Sequence, residues 1–308
     1  MGRKVRSPRL KFANIQVLYL FLAPALLLTL IFGYLPMFSN IIAFMDYKIT
    51  NPMFGLASPF VGFKWFSFLK EGWFYEIAGR TVLYSFMTLL FGFPASLILA
   101  LLFNELRNQV FKKVVQTISY VPNFVSWVTT AGLVYLFLSV DSTGLVNNIA
   151  QSVFHLPRQS FMQNPNAFLP ILIVTNLWKN VGWGTILYMA ALSTIDEQIY
   201  EAAEVDGAGR WAKLVHITLP GLIPTFCILL IFALGGLFSV NFDQVFNLQN
   251  SVIRQDVMTI NLYTYYNGIV NGNYPISTAV GLFQGVVSFI LIYSVNKVTR
   301  RLADTGIF

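Results

Sequence analysis

Six apolar stretches, each close to the length that crosses a lipid bilayer, constrain this chain more than any other feature. A transmembrane helix needs about 20 mostly apolar residues to cross the ~30 Å hydrocarbon layer. Such stretches lie near 15–37, 80–103, 117–140, 168–192, 221–240 and 276–296. Only 11% of the 308 residues are charged, whereas soluble domains carry about 25%. The sequence therefore predicts an all-α integral membrane protein, with six transmembrane helices in a single domain over residues 1–308.

The basic residues indicate how these helices are oriented. Cations precede the first stretch, follow the second, lie between the fourth and fifth, and follow the sixth. They are Arg3, Lys4, Arg6, Arg9, Lys11, Arg107, Lys112, Lys113, Arg210, Lys213, Lys297, Arg300 and Arg301. Because cytoplasmic segments are enriched in Lys and Arg, this pattern places both termini and the 193–220 loop in the cytoplasm. The first stretch is too long for a signal peptide, so we interpret it as a retained helix.

Several function classes are excluded at this stage. The net charge of +7 follows from membrane orientation, so it does not indicate a nucleic-acid partner. Cys227 is the only cysteine, which excludes an intrachain disulfide and a thiolate metal cluster. No phosphate-binding G-x4-G-K-[ST] pattern occurs, so we expect no ATP binding by this chain. Scattered carboxylates and two histidines indicate neither a metal site nor a catalytic triad, and we expect passage of a solute rather than an enzyme.

The 193–220 loop contains the pattern E-A-A-x3-G-x9-I-x-L-P without insertion or deletion. Its seven identities are Glu201, Ala202, Ala203, Gly207, Ile217, Leu219 and Pro220. Thr194 and Glu197 have capping-box spacing, which predicts a helix from Ile195. Gly207 predicts the end of that helix, and a second short helix is predicted from about Gly209 to His216.

The predicted surface of the first loop helix favours docking into a groove of another protein. Ala202 and Ala203 are small enough to allow close approach, while Glu201 and Asp206 supply a negative rim. An amphipathic helix that inserts into a groove is a common mode of recognition.

Four further runs accompany this pattern. They are 111–122 (FKKVVQTISYVP), 178–184 (WKNVGWG), 241–246 (NFDQVF) and 278–284 (TAVGLFQ). On these residues and the loop pattern, the chain resembles permease subunits of binding-protein-dependent ABC importers, within the carbohydrate-uptake, maltose-type class and its oligosaccharide and polysaccharide branch. One departure is Arg80-Thr81, where that branch leads us to expect Asn-Thr.

The resemblance implies a bacterial inner-membrane importer that moves a carbohydrate by alternating access. It implies four kinds of partner besides membrane lipid: a second homologous permease, two ATP-binding subunits, an extracellular solute-binding protein and the carbohydrate. ATP and Mg²⁺ are expected on the ATP-binding subunits, and this chain is expected to hold no cofactor. Glu201, Ala202, Ala203, Asp206 and Gly207 are the expected ATPase-coupling residues. Two alternatives remain open: the same machinery for a non-sugar solute, and a polytopic membrane protein that works alone.

Polar side chains at helical spacing predict where a solute path could lie. Asn176, Lys179, Asn180 and Trp183 share one face of the fourth stretch. Polar groups inside a membrane are costly and typical of paths, although they also join neighbouring helices by hydrogen bonds. The sequence leaves both roles open for this face. Lys179 could also pair with an acid of a partner subunit or attract an anionic sugar.

Two weaker sets repeat this spacing. The third stretch carries Asn123, Ser126, Trp127 and Thr130, and the fifth carries Gly235, Ser239 and Asp243 toward its outer end. We include Asn123, Trp127 and Asp243 among the candidate path residues. Helix packing is the interpretation that we favour for the third-stretch set.

Overall fold

The computed structural model describes residues 12–50 and 58–303, and most of these residues are helical. No β-strand occurs in those two ranges, where an isolated antiparallel bridge joins Met45 to Phe60. The α-helices are α1 (Phe12–Thr29), α2 (Gly72–Asn104), α3 (Gln109–Tyr120), α4 (Trp127–Phe137), α5 (Leu145–Phe154), α6 (Pro165–Leu192), α7 (Glu197–Val205), α8 (Arg210–Lys213), α9 (Leu219–Gly235), α10 (Phe242–Leu248), α11 (Ile260–Tyr265) and α12 (Tyr274–Ala303). The predicted all-α class is confirmed. The cations at 3–11 that were used to orient the amino terminus lie outside the described residues.

Four helical segments among the described residues are long and apolar enough to cross a membrane. They are Tyr19–Phe44, Gly72–Asn104, Arg210–Gly235 and Tyr274–Arg301. These segments correspond to the first, second, fifth and sixth predicted stretches. The fourth predicted stretch is the 28-residue helix α6. This helix is not among the four segments, and Asn176, Lys179 and Asn180 interrupt its apolar sequence.

The third predicted stretch, 117–140, is not one helix. After α3, a 3₁₀ turn covers Val121–Phe124, Val125 is extended (φ −72°, ψ 132°), and Ser126 caps α4. Pro122 has no amide proton to donate, so the α-helical hydrogen-bond pattern ends at this point, although Val121 before it keeps helical angles (φ −52°, ψ −43°). The apolar pattern concealed the break because hydropathy does not report backbone geometry.

The described residues form two compact groups, of which one contains the residues up to Ser67 and Asn267–Leu282. In this group a π-helical turn (Leu30–Tyr34) and a 3₁₀ helix (Leu35–Phe44) continue α1. The Phe44 ring lies 5.4 Å from that of Phe63 and 5.5 Å from that of Phe66. These rings pack the loop that follows the first span against the end of that span.

The other group contains Phe68–Tyr266 and the residues from Phe283 onward, and α6 is its central helix. Helices α2, α3 and α9 all contact α6. Two glycines of the 178–184 run permit this packing. A methyl group on Gly182 would overlap the backbone of Ser119 in α3, and one on Gly184 would lie 3.0 Å from the Ser96 Cβ in α2.

Candidate functional site

A cavity of about 540 Å³ lies among α2, α6, α9 and the segment that joins α9 to α10. Its polar lining residues are Ser85, Thr88, Ser96, Asn176, Asn180, Trp183, Ser239, Asn241 and Gln244. Leu89, Phe93, Val181, Phe232, Ala233 and Val240 supply apolar surface. None of the described residues that line it is charged. The site therefore offers hydroxyls, amides and one indole ring to an uncharged polar group.

The amides of this cavity are held in place by hydrogen bonds. The Asn176 Nδ2 donates to the Gln244 Oε1 at 3.5 Å, and the Asn180 Oδ1 accepts from the Asn123 Nδ2 at 3.1 Å. Gln244 is only 1% exposed, and its amide also donates to the Leu172 carbonyl at 2.8 Å. The network fixes two of the predicted path residues, Asn176 and Asn180, on the cavity wall.

Trp183 also lines the cavity, one turn beyond Asn180 on α6. Its ring lies 5.8 Å from that of Phe124 in an edge-to-face arrangement. About half of the Trp183 side chain remains exposed. An aromatic face beside amide groups is suited to contact with the apolar face of a ring.

Lys179 is on α6 but does not line this cavity. Its ammonium donates to the backbone carbonyls of Pro122, Asn123 and Val125, at 3.4 Å for Pro122 and 2.7 Å for Asn123. The nitrogen lies 5.4 Å from the centre of the Trp127 ring, and Lys179 is 6% exposed. Carbonyls beside a helix break lack their usual helical donors. The Pro122 carbonyl also accepts from the Val125 amide at 3.2 Å, and Lys179 supplies a donor to the Asn123 and Val125 carbonyls. Lys179 therefore takes part in helix packing, which is one of the two roles that the sequence left open.

The expected helical face of the third stretch is not formed, because the chain breaks within it. Asn123 lies in the 3₁₀ turn, Ser126 is the N-cap of α4, and Trp127 and Thr130 belong to α4. Trp127 and Thr130 are buried. Asn123 reaches Asn180 behind the cavity wall, while Trp127 packs against Lys179.

The expected helical face of the fifth stretch is also wrong, because α9 ends at Gly235. The chain then turns through 236–241, where Ser239 lines the cavity. Asp243 lies in the first turn of α10, is exposed, and is not among the cavity-lining residues.

Sequence reasoning missed the α2 side of the cavity. Ser85, Thr88, Gly92 and Ser96 follow one face of α2 and all line the cavity. Their spacing of three, four and four residues was the available signal. A few small or hydroxyl side chains hardly lower the mean hydropathy of an otherwise apolar stretch, so hydropathy did not reveal them.

The 193–220 loop contains α7, which ends at the predicted glycine. Gly207 has φ +78°, and the Ala208 amide donates to the Ala203 carbonyl at 2.8 Å while the Gly207 amide donates to the Glu204 carbonyl at 3.0 Å. This is the Schellman arrangement of a helix end, which favours glycine. The predicted helix start is wrong: α7 begins at Glu197, and the Asp196 carboxylate caps it by accepting from the Gln198 amide.

The sequence predicted that the second loop helix ends near His216, and this prediction is wrong. The turn α8 continues through a π-helical turn, Leu214–Thr218, directly into α9. The Tyr200 and Thr218 hydroxyls are hydrogen-bonded at 2.9 Å, which joins α7 to the residue just before α9. Lys213 donates to Glu204 at 2.8 Å, and this bond lowers the pKa of the Glu204 carboxyl.

The expected coupling residues lie together on this loop helix and its end. Glu201, Ala202, Asp206 and Gly207 are exposed, and Ala203 is half-buried. Apolar side chains are exposed beside them, with Val205 at 89% and Trp211 at 75%.

A family model and two relatives each match most of this chain. Residues 92–304 match the model of the family described as the binding-protein-dependent transport system inner membrane component. The protein LplB of Bacillus subtilis strain 168 is 43% identical over 94% of this chain and 91% of its own length. The polygalacturonan/rhamnogalacturonan transport system permease protein YteP of the same strain is 37% identical over 99% of this chain and 95% of its own length.

A solved structure is similar over nearly the whole chain. It is the crystal structure of a bacterial alginate ABC transporter in complex with an alginate pentasaccharide-bound periplasmic protein. The match has a TM-score of 0.86 and 37% identity, and it covers 96% of this chain and 98% of the solved one.

Proposed function

The chain belongs to the family of binding-protein-dependent transport system inner membrane components, and from that premise we propose that it carries an oligosaccharide or a polysaccharide fragment across the membrane. It is a membrane permease subunit of an ABC importer. The similarity to transporters of polygalacturonan and alginate supports a saccharide as the solute. The observation that carries the proposal is the uncharged cavity of about 540 Å³, lined by hydroxyls, amides and Trp183.

The proposed path includes Asn176, Asn180 and Trp183 on its wall, with Asn123 holding Asn180 from behind. Lys179 and Trp127 contribute to the path indirectly, because their contacts hold the break between α3 and α4 in place. We do not assign a contact with the solute to Asp243, because it is exposed in α10 and outside the cavity lining. Amide groups donate and accept hydrogen bonds, as sugar hydroxyls do, which suits them to a hydrated carbohydrate.

For the topology, the proposal is six crossings in one domain over residues 1–308. The interrupted pair of α3 and α4 would form the third crossing, and α6 the fourth. Both termini and the 193–220 loop would then face the cytoplasm. This orientation is supported by the cations Arg107, Lys112, Arg210 and Lys213, because cytoplasmic segments are enriched in Lys and Arg.

Coupling is assigned to α7 and its end. Glu201, Ala202, Ala203, Asp206 and Gly207 would dock against an ATP-binding subunit. The exposure of Val205 and Trp211 supports this role, because large apolar side chains in a polar loop are typical of a contact surface. ATP and Mg²⁺ would be held by two partner subunits, and a second homologous permease and an extracellular binding protein would complete the importer.

The direct test is transport by the assembled importer in vesicles. The complex of this chain with its partner permease and ATP-binding subunits is expected to take up an oligogalacturonate or alginate oligosaccharide from a loaded binding protein when ATP is present. This chain alone should neither hydrolyse ATP nor move the sugar. Uptake of an amino acid or a phosphate ester in place of both sugars would reject the saccharide assignment.

The coupling assignment predicts that Gly207→Val lowers transport-coupled ATP hydrolysis. A β-branched residue at φ +78° strains the end of α7 and displaces the docking surface, while the membrane spans are unaffected. Gly209→Val is the matched control, because Gly209 has φ −72° and open space around its Cβ position. Equal binding-protein-stimulated ATPase activity in the two variants would contradict the assignment.

A further inference from the structure

Two hydroxyl groups on the α2 wall of the cavity lack a hydrogen-bond partner. Ser85 and Thr88 lie one turn apart on the face of α2 that lines the cavity. The Ser85 Oγ and the Thr88 Oγ1 are buried atoms, yet neither is bonded to another protein group. Buried polar atoms in folded proteins are nearly always paired. Four such atoms are unpaired among the described residues, and the two that belong to cavity-lining residues, in Ser85 and Thr88, point to a group that is not part of this chain.

The hydroxyl of Thr81, on the same helix, has a structural role because it is bonded to two backbone groups. Thr81 lies two turns before Thr88, and its Oγ1 donates to the Ile77 carbonyl at 2.7 Å. The same oxygen accepts from the Ile260 amide at 2.9 Å. A helical Ser or Thr ordinarily bonds to the carbonyl four residues earlier in this way. Ser85 and Thr88 do not, and both residues line the cavity.

The adjoining α6 wall offers complementary groups. Asn176 and Asn180 line the cavity on that side, and each amide provides two donors and one acceptor oxygen. A serine or threonine hydroxyl also donates and accepts. A sugar ring carries several hydroxyls with this dual capacity, whereas a carboxylate only accepts. The combined surface is therefore suited to ring hydroxyls and not specifically to a charged substituent.

We propose that Ser85 and Thr88 form a subsite that binds the hydroxyl groups of a sugar ring during passage. The inference rests on the proposed transport of a saccharide and names the residues of α2 that recognise it. Asn176 and Asn180 supply the second side of the same subsite. Because the hydroxyls make no bond within the protein, the fold does not depend on them.

The test compares two substitutions of the same kind on one helix. In the vesicle assay with an oligogalacturonate or alginate oligosaccharide, Thr88→Val is expected to lower uptake about tenfold, the equivalent of one lost hydrogen bond. Ser85→Ala should act similarly. The melting temperature of the complex should stay unchanged, because neither hydroxyl is bonded to another protein group. Thr81→Val should instead lower the melting temperature, because it removes two bonds.

A thiol at the same position provides an independent measurement. In a Cys227→Ala background, Thr88→Cys is expected to react with a water-soluble thiol reagent, and bound oligosaccharide should slow that reaction several-fold. Unchanged uptake in Thr88→Val and Ser85→Ala would overturn the subsite, as would a fall in melting temperature like that of Thr81→Val. A wild-type complex that imports only a non-sugar solute would reject the proposed function. If Thr88→Val also lowered that uptake, a polar subsite would remain but not one for sugars.

Discussion

Lys179 in the buried part of α6 and Lys213 in the 193–220 loop are both paired, but with different partners and in different surroundings. Lys179 is 6% exposed and donates to three backbone carbonyls at the break between α3 and α4. Lys213 donates to Glu204, whose side chain is 79% exposed. In the interior, no water is available to replace a lost donor, whereas at the loop surface water replaces it readily. The same residue type therefore fixes the fold in one region and contributes little in the other.

The largest effect is expected from removal of the buried ammonium. Lys179→Met should lower the stability of the assembled complex by at least about 2 kcal/mol, since the Asn123 and Val125 carbonyls would lose the ammonium donor and each unpaired buried carbonyl costs about 1–3 kcal/mol. The measurement is the fraction of intact complex that remains after heating in detergent, with Lys179→Arg as a variant that keeps donors. A stable Lys179→Met complex with reduced sugar uptake would contradict the structural role of Lys179, because the residue would then act on the solute.

A somewhat smaller loss is expected where α6 meets α3. Gly182→Ala places a methyl group against the Ser119 backbone, which cannot rotate away as a side chain would. Overpacking of this kind costs about 1–3 kcal/mol. Gly132→Ala in α4 is the matched control, because its Cβ position has no atom within 4 Å. Equal melting temperatures for the two variants would show that α3 and α6 are less rigidly packed than the Lys179 contacts indicate.

The sequence predicted the parts of the fold that depend on hydropathy and local backbone preference. The helical class followed from the apolar stretches, and the end of α7 followed from Gly207, since few other residues adopt φ +78°. The break at Pro122 and the end of α9 at Gly235 were missed. Both lie inside apolar sequence, where hydropathy stays high whether or not the backbone remains helical.

The candidate site was only partly predictable for a related reason. Helical spacing grouped Asn176 with Asn180, and both line the cavity, but it also included Lys179, whose ammonium extends to the break in the third stretch. A long side chain is directed by the nearest unpaired acceptors, which sequence spacing does not reveal. Ser85 and Thr88 were missed because a hydroxyl that bonds its own helix and one that faces a cavity look identical in sequence.

The smallest effect is expected at the exposed pair of the loop. Glu204→Gln removes the charge that Lys213 contacts, but solvent screens this pair, so the melting temperature at neutral pH should be nearly unchanged. The Lys213 bond lowers the pKa of Glu204, so the small stabilisation is present above the ordinary pKa of a glutamate and is lost as the pH falls through the lowered value. Melting curves of the wild type and Glu204→Gln should therefore converge on acidification. A large loss at neutral pH would show that this ion pair fixes the loop as firmly as the carbonyl contacts of Lys179 fix the break between α3 and α4.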